Sequence, residues 1–136
     1  MGLGLGVVVH PNEEIVRAAY DAFVRGNIDA VAGFLDPDVI WHAAGSGPFA
    51  GLYKGHGELI GLFARISEAT EGSISLSARD ILANDDHVIV LTKMEGRRGD
   101  RVLDDNGVAI FKIVGGKATE VWTFPEDEAA LEAFFS

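Results

Sequence analysis

The stretch "VAIFKIVGGKATEVWTF" (residues 108–124) decides the fold class of this 136-residue chain. Two runs rich in β-branched and aromatic residues flank Gly115 and Gly116, and a Gly-Gly pair between such runs is a strong signal of a two-residue β-hairpin. Upstream, "SISLSARDIL" (73–82) alternates Ser or Arg with Ile or Leu, and "HVIVLTKME" (87–95) is typical of a buried strand. The second half of the chain therefore predicts an antiparallel meander of four strands.

The first half and the last residues predict helices. Asn12 is placed to cap a first helix whose apolar residues recur at helical spacing, and Gly26 closes it. Asn27 caps a second, shorter helix that ends before a proline. A third helix is predicted from about residue 57 to 70, and Pro125, followed by three acidic residues, opens a terminal helix.

A short strand over residues 39–42 separates the second helix from an irregular, glycine-rich loop (43–55). The predicted order is α-α-β-α-β-β-β-β-α, in which helices come first and the meander follows. This order is typical of an α+β fold with a curved, mostly antiparallel sheet wrapped around N-terminal helices as a cone-shaped barrel. We expect a loose N-terminal arm over residues 1–11 and a single domain over residues 12–136.

Composition and charge exclude several classes of partner. The formal net charge is −10, and the basic cluster of Arg97, Arg98 and Arg101 contains Asp100, so no nucleic-acid partner is expected. No apolar run approaches the roughly 20 residues that span a bilayer, so no membrane partner is expected either. The N-terminal stretch lacks a basic region typical of a signal peptide, and cytoplasmic localisation is the default expectation. Without cysteines or histidine pairs at ligand spacing, we predict no metal and no cofactor.

Two stretches carry a family resemblance: "RAAYDAFVRGNIDAVAGFLDPDVIWHAAGSGPFAGLYKGHGELIGLF" (17–63) and "VAIFKIVGGKATEVWTFPED" (108–127). Together they resemble the SnoaL-like branch of the nuclear-transport-factor-2-like superfamily, whose members include ketosteroid isomerases and polyketide cyclases. The resemblance implies the cone-shaped barrel. It also implies a homodimer joined through the outer face of the sheet, where Trp122 and Phe124 would make contacts.

The same resemblance places His42 where ketosteroid isomerases keep their catalytic base. Of the two residues that polarise the steroid carbonyl, the Tyr position falls at or beside Ala19, and the Asp position falls at about Ala109, or at Val108 or Gly107 if the hairpin is counted differently. The acid-base Asp of the cyclases falls at Thr123. None of these replacements titrates, so neither known mechanism is expected. His42 is interpreted either as an acid-base residue facing the cone or as a residue that hydrogen-bonds a loop carbonyl at the strand end.

Asp105 is the predicted partner of His42, and its position has two interpretations. If residues 101–111 form one strand, Asp105 faces the cone together with Ala109 and Phe111; if "DDNG" (104–107) is a turn, the carboxylate is solvated. The loop around Phe49 and Tyr53 would cover a ligand cavity. The full set of predicted ligand-binding residues is Tyr20, Ile40, Phe49, Tyr53, Phe63, Ala109, Phe111, Val121 and Thr123.

The sequence thus predicts a small-molecule pocket protein, with two classes of function left open. One is an enzyme that transfers protons on an apolar carbonyl- or hydroxyl-bearing compound, as an isomerase, cyclase, dehydratase or hydrolase with His42 as acid or base. The other is a non-catalytic module on the same fold that binds a small ligand or a second copy of the chain.

Overall fold

The computed structural model describes residues 8–136, and within them the chain forms four helices and one sheet of six strands. In chain order the elements are α1 (Pro11–Val24), α2 (Ile28–Phe34), β1 (Leu35–Ala43), β2 (Gly51–Lys54), α3 (Gly55–Ala69), β3 (Ser75–Ala83), β4 (His87–Arg98), β5 (Arg101–Val114), β6 (Lys117–Phe124) and α4 (Glu128–Phe135). The predicted fold class and element order are confirmed. The short strand β2, assigned above to an irregular loop, is added.

The strands follow the spatial order β2-β1-β6-β5-β4-β3. Neighbours are antiparallel except β1 and β6, which run parallel. Because β2 and β3 stand at opposite edges, the curved sheet stays open and its concave face receives the helices. Helix α1 packs on β3 and β4, while α3 packs on β1.

The start of α1 differs from the prediction. His10 is the N-cap, and its Nδ1 accepts a hydrogen bond from the backbone N–H of Asn12 at 3.0 Å. Asn12 is buried instead, and its side chain donates to the carbonyls of Asn84 (3.0 Å) and Asp85 (3.2 Å). It therefore ties the helix to the β3–β4 turn, which a local capping rule does not foresee. Of the predicted arm, residues 1–7 lie outside the described residues.

The predicted cap of α2 is confirmed, because Asn27 Oδ1 accepts from the N–H of Ala30 at 3.2 Å. The strand predicted over residues 39–42 begins earlier, at Leu35, directly after α2. Its pairing with β6 shifts register between Leu35 and Ile40, so the strand accommodates Pro37 at an irregularity.

The core lies between the helices and the concave face of the sheet. Strand β5 shows its construction most plainly, because every second side chain from Leu103 to Ile113 is buried and those between are more exposed. The fully buried residues Val16 of α1, Leu59 of α3 and Val121 of β6 meet this face. In the described part of the chain, no helix is long and apolar enough to cross a membrane.

Candidate functional site

A cavity of about 210 Å³ lies inside the cone and opens towards α4 and the loop between β1 and β2. It exceeds the roughly 150 Å³ that admits a benzene ring in an engineered apolar cavity. Its wall is built mainly from aliphatic and aromatic side chains of α1, α3 and the concave face of the sheet. A compact cyclic molecule fits this volume.

Aromatic rings fix one wall of the cavity. Phe111 packs against Tyr20, Phe34 and Trp41, with ring centroids 6.2, 5.8 and 6.4 Å away. The Tyr20 and Trp41 rings meet it edge-to-face, an arrangement that favours one orientation of each ring. Trp41 also meets Phe63 edge-to-face at 5.7 Å. This wall is therefore preformed.

Asp105 lies in the cavity wall, in agreement with the single-strand interpretation. Strand β5 runs without interruption from Arg101 to Val114, so "DDNG" is part of the strand. The residue is 7% exposed, and its carboxylate accepts hydrogen bonds from the backbone N–H groups of Glu126 (3.2 Å) and Asp127 (3.3 Å). Asp105 thus also holds the segment that leads into α4.

Three oxygen atoms converge beside Gly107 in the same wall. A Cβ atom on Gly107 would lie 2.5 Å from the carbonyl oxygen of Phe124, 3.2 Å from Asp105 Oδ2 and 3.2 Å from Thr92 Oγ1. Thr92 is 8% exposed, and its hydroxyl makes no hydrogen bond to a described residue. We call the Thr92 hydroxyl, the Asp105 carboxylate and the Phe124 carbonyl the polar corner. It exists because residue 107 has no side chain.

Tyr20 brings a phenol to the cavity. Tyr20 directly follows Ala19, the residue at the isomerase tyrosine position, and both residues line the cavity. Burial raises the pKa of the Tyr20 phenol above its usual value, so the group stays neutral near pH 7. Its hydroxyl has no hydrogen-bond partner among residues 8–136, which leaves it free to bind a ligand.

The cavity mouth is bordered by the loop 44–50 and by α4. The rings of Phe49 and Phe135 meet edge-to-face at 4.8 Å, and Ser46 Oγ donates to Glu132 Oε2 at 2.9 Å. Arg65 lies over the Phe49 ring, 5.6 Å from its centroid. The Tyr53 hydroxyl donates to the Phe49 carbonyl at 2.9 Å, so Tyr53 supports this loop from behind.

Helix α4 is held at its other end by the arginine cluster noted in the sequence. Arg98 donates to the backbone oxygens of Phe134 (3.2 Å) and Ser136 (2.9 Å), and Arg101 donates to those of Ala133 and Phe134. Cationic donors at a helix C-terminus satisfy its unpaired carbonyls and oppose the helix dipole. Arg98 and Arg101 therefore anchor α4, which borders the mouth, although neither side chain lines the cavity.

His42 lies on the outer face of the sheet, so the expectation that it faces the cone is wrong. Its Nε2 is 2.6 Å from Glu120 Oε2, and its ring stacks on Trp122 with centroids 5.4 Å apart and planes 5° apart. Trp41, its neighbour on β1, points into the cavity instead. Successive side chains of a strand point to opposite faces, so Val39 and Trp41 share one face and Ile40 and His42 share the other. The face with Val39 and Trp41 is the one that points to the interior.

The other predicted ligand-binding residues divide into two groups. Those that line the cavity are Tyr20, Phe49, Phe63, Ala109, Phe111 and Thr123. Ile40 shares the outer face with His42, Val121 is fully buried in the core, and Tyr53 lies behind the loop, so the placement expected for these three is wrong. The predicted outer-face position of Trp122 is confirmed, whereas Phe124 lies at the rim, 44% exposed and in contact with the cavity mouth.

Among the site residues that sequence reasoning missed are Trp41, Thr92 and Phe135. Trp41 could have been predicted from its neighbour His42. A polar histidine prefers the solvent face of a strand, and the adjacent residue then points to the interior. Thr92 could have been found from alternation, because it shares a face of β4 with the buried Val90. Nothing local in the sequence indicates that Phe135 lies at the mouth.

Comparison with known proteins agrees with this architecture. Residues 16–121 match the family model described as the SnoaL-like domain. The chain belongs to the SnoaL-like family. Among curated proteins, it is 27% identical over 124 residues to the uncharacterised protein Rv0034 of Mycobacterium tuberculosis, a match that covers 90% of this chain and 95% of the relative.

Solved structures show the same cone. Bal32a, from a soil-derived mobile gene cassette, superposes with a TM-score of 0.87 at 27% identity, covering 92% of this chain and 96% of the other. IdmH, a putative polyketide cyclase from Streptomyces antibioticus, gives 0.73 at 16% identity, covering 90% and 96%. A ketosteroid isomerase-like protein from Catenulispora acidiphila, solved with trimethylamine, gives 0.71 at 17% identity, covering 85% and 86%. The last two likenesses concern the fold alone.

Proposed function

We propose that this protein binds a compact, largely apolar small molecule in the cone cavity. The observation that supports this is the cavity itself: about 210 Å³, with a preformed aromatic wall and a few polar groups in one corner. Concave, mostly apolar sites with a few well-placed polar groups are the usual form of small-molecule sites. Membership of the SnoaL-like family is consistent with this role.

The two tryptophans provide a test, because Trp41 lines the cavity and Trp122 lies on the outer face. The Trp122→Phe variant keeps one indole inside the cone, and the Trp41→Phe variant keeps one outside. Titration with 2-indanone and related bicyclic compounds is expected to change the Trp41 emission saturably and to leave the Trp122 emission unchanged. The proposal fails if no compound of this size gives a saturable change in the first variant.

A second candidate is proton-transfer catalysis on a bound carbonyl compound, with Asp105 instead of His42 as the base. A carboxylate that is 7% exposed in an apolar wall, with the neutral Tyr20 phenol on the same cavity, favours it. In such a reaction Asp105 would take a proton from the carbon next to the carbonyl, while Tyr20 would donate a hydrogen bond to the carbonyl oxygen.

Exchange in D₂O tests this candidate without knowledge of the natural substrate. If Asp105 acts as base, the protein accelerates replacement of the α-protons of 2-indanone, which ¹H NMR follows directly. Asp105→Asn should abolish the acceleration, and His42→Asn should retain it. Equal rates for wild type and Asp105→Asn would exclude Asp105 as the base.

We also propose that the chain forms a homodimer through the outer face of the sheet. The central strands β5 and β6 present Ile110 and Trp122 there, paired in the ladder, and the flanking Ile89 is 40% exposed. Apolar side chains in a continuous patch on a sheet surface are typical of a protein–protein interface. The His42–Glu120 pair lies within this face, so a partner would cover it.

A further inference from the structure

All the charged side chains that line the cavity in the described part of the chain are acidic. They are Asp105 in the wall and Glu128 and Glu132 at the mouth, and no Lys, Arg or His accompanies them. The chain as a whole carries a formal charge of −10. Like charges repel most strongly where water is excluded, so this cavity disfavours an anionic ligand.

Asp105 is a buried carboxylate whose charge is not matched by a protein cation. Its partners among residues 8–136 are two backbone N–H groups at 3.2 to 3.4 Å. An ionised carboxylate offers about four acceptor positions, so capacity remains on the cavity side. Burial of a carboxylate without an opposite charge is costly, and a cationic group on a ligand would offset that cost.

The polar corner has the composition that a primary ammonium group requires. Asp105 Oδ2, Thr92 Oγ1 and the Phe124 carbonyl oxygen converge beside Gly107. Each of these atoms accepts hydrogen bonds, and an ammonium group has three donors and no acceptor. Thr92 is more than nine-tenths buried, lines the cavity, and its hydroxyl has no partner within residues 8–136. The aromatic wall adds ring faces and edges suited to a cyclic body.

We propose that the ligand is a protonated primary amine with a compact cyclic body. The ammonium group binds in the polar corner against Asp105, and the ring packs against Phe111 and Trp41. This inference rests on the proposed binding function and names its ligand class. It gives Asp105 a binding role, in contrast to the catalytic role of the second candidate.

Three compounds with one ring system test the proposal: 2-aminoindane, 2-indanol and indane-2-carboxylate. Each is titrated into the Trp122→Phe protein at constant salt, with Trp41 emission as the readout. The amine is expected to bind about tenfold or more tightly than the alcohol, because a hydrogen bond to a charged group exceeds a neutral one by that margin. The carboxylate should not bind in the same concentration range.

Two neighbouring aspartates provide a matched pair of variants. Asp105→Asn keeps an oxygen to accept from Glu126 and Asp127 but removes the charge, and the preference for the amine should fall to about threefold or less. Asp104→Asn makes the same change on the outer face, where Asp104 is paired with Lys93 at 2.8 Å, and should leave all three affinities unchanged. Circular dichroism confirms that each variant is folded.

The Thr92→Val variant is an independent test, since it removes one hydrogen-bond acceptor of the polar corner and leaves the Asp105 carboxylate in place. It should weaken the amine several-fold and leave the binding of unsubstituted indane unchanged. If 2-indanol binds as tightly as the amine, or if Thr92→Val and Asp105→Asn both keep the full amine preference, the inference is wrong while the binding function stands. If none of the compounds binds, the binding function itself fails.

Discussion

Replacement of Gly107 by alanine tests the close approach on which the polar corner depends. The new Cβ would lie 2.5 Å from the Phe124 carbonyl oxygen, which is much shorter than a normal van der Waals contact. This oxygen is a backbone atom of β6, the strand that pairs with β5. Relief requires the strands to separate by several tenths of an ångström. Overpacking of this kind lowers the free energy of unfolding by about 1–3 kcal/mol. Replacement of a strand glycine by alanine raises it by only about 0.5–1 kcal/mol.

The net loss in the free energy of unfolding is therefore about 0–2.5 kcal/mol, with a central value of about 1 kcal/mol, measured by urea denaturation with far-UV circular dichroism. Gly61→Ala is the control, because Gly61 lies within α3 and its added Cβ would meet nothing within 4 Å. The same substitution there should stabilise the protein by about 0.5–1 kcal/mol. If Gly107→Ala stabilises the protein as much as Gly61→Ala does, the close approach described here is wrong.

Three further results are expected. Burial raises the pKa of the Tyr20 phenol, so the unfolded chain ionises this group near pH 10 while the folded protein keeps it neutral. The free energy of unfolding should therefore fall above about pH 10. In urea denaturation between pH 9 and 11, Tyr20→Phe should show a smaller fall in that free energy than the wild type. Arg101→Met should speed hydrogen exchange in α4 and leave the central strands protected. Ile110→Lys should convert a dimer to a monomer in analytical ultracentrifugation, and a wild-type monomer at high concentration would contradict the proposed interface.

Periodicity in the sequence was sufficient for most of the fold. The hairpin at Gly115-Gly116 joins β5 and β6, and the strand predicted over residues 117–124 is β6. Strand β2 escaped notice because four residues at the sheet edge carry little pattern. In β3, a register shift between Ala78 and Asp80 moves Ile81 into the core and Asp80 to the surface, which simple alternation does not foresee.

The site was only partly predictable, because it depends on which face of each strand is buried. Strand β5 is long and clearly alternating, so Asp105 and Phe111 were placed correctly once one strand was assumed. Strand β1 presents Val39 and Trp41 on one face and Ile40 and His42 on the other, and the isomerase resemblance favoured the face that contains His42. The structure buries the face with two apolar residues, so here the polarity of the side chains was a better guide than the resemblance. The mouth depends on contacts between residues far apart in sequence, such as Ser46 with Glu132.

The central claim is that ligands bind inside the cone, beside Trp41, and not at the His42 surface. The chain has two tryptophans, so their indole signals can be assigned in ¹H NMR spectra from Trp41→Phe and Trp122→Phe. We predict intermolecular nuclear Overhauser effects between the ring protons of bound 2-aminoindane and the indole of Trp41, and none to Trp122. Effects to Trp122 without any to Trp41 would contradict the account.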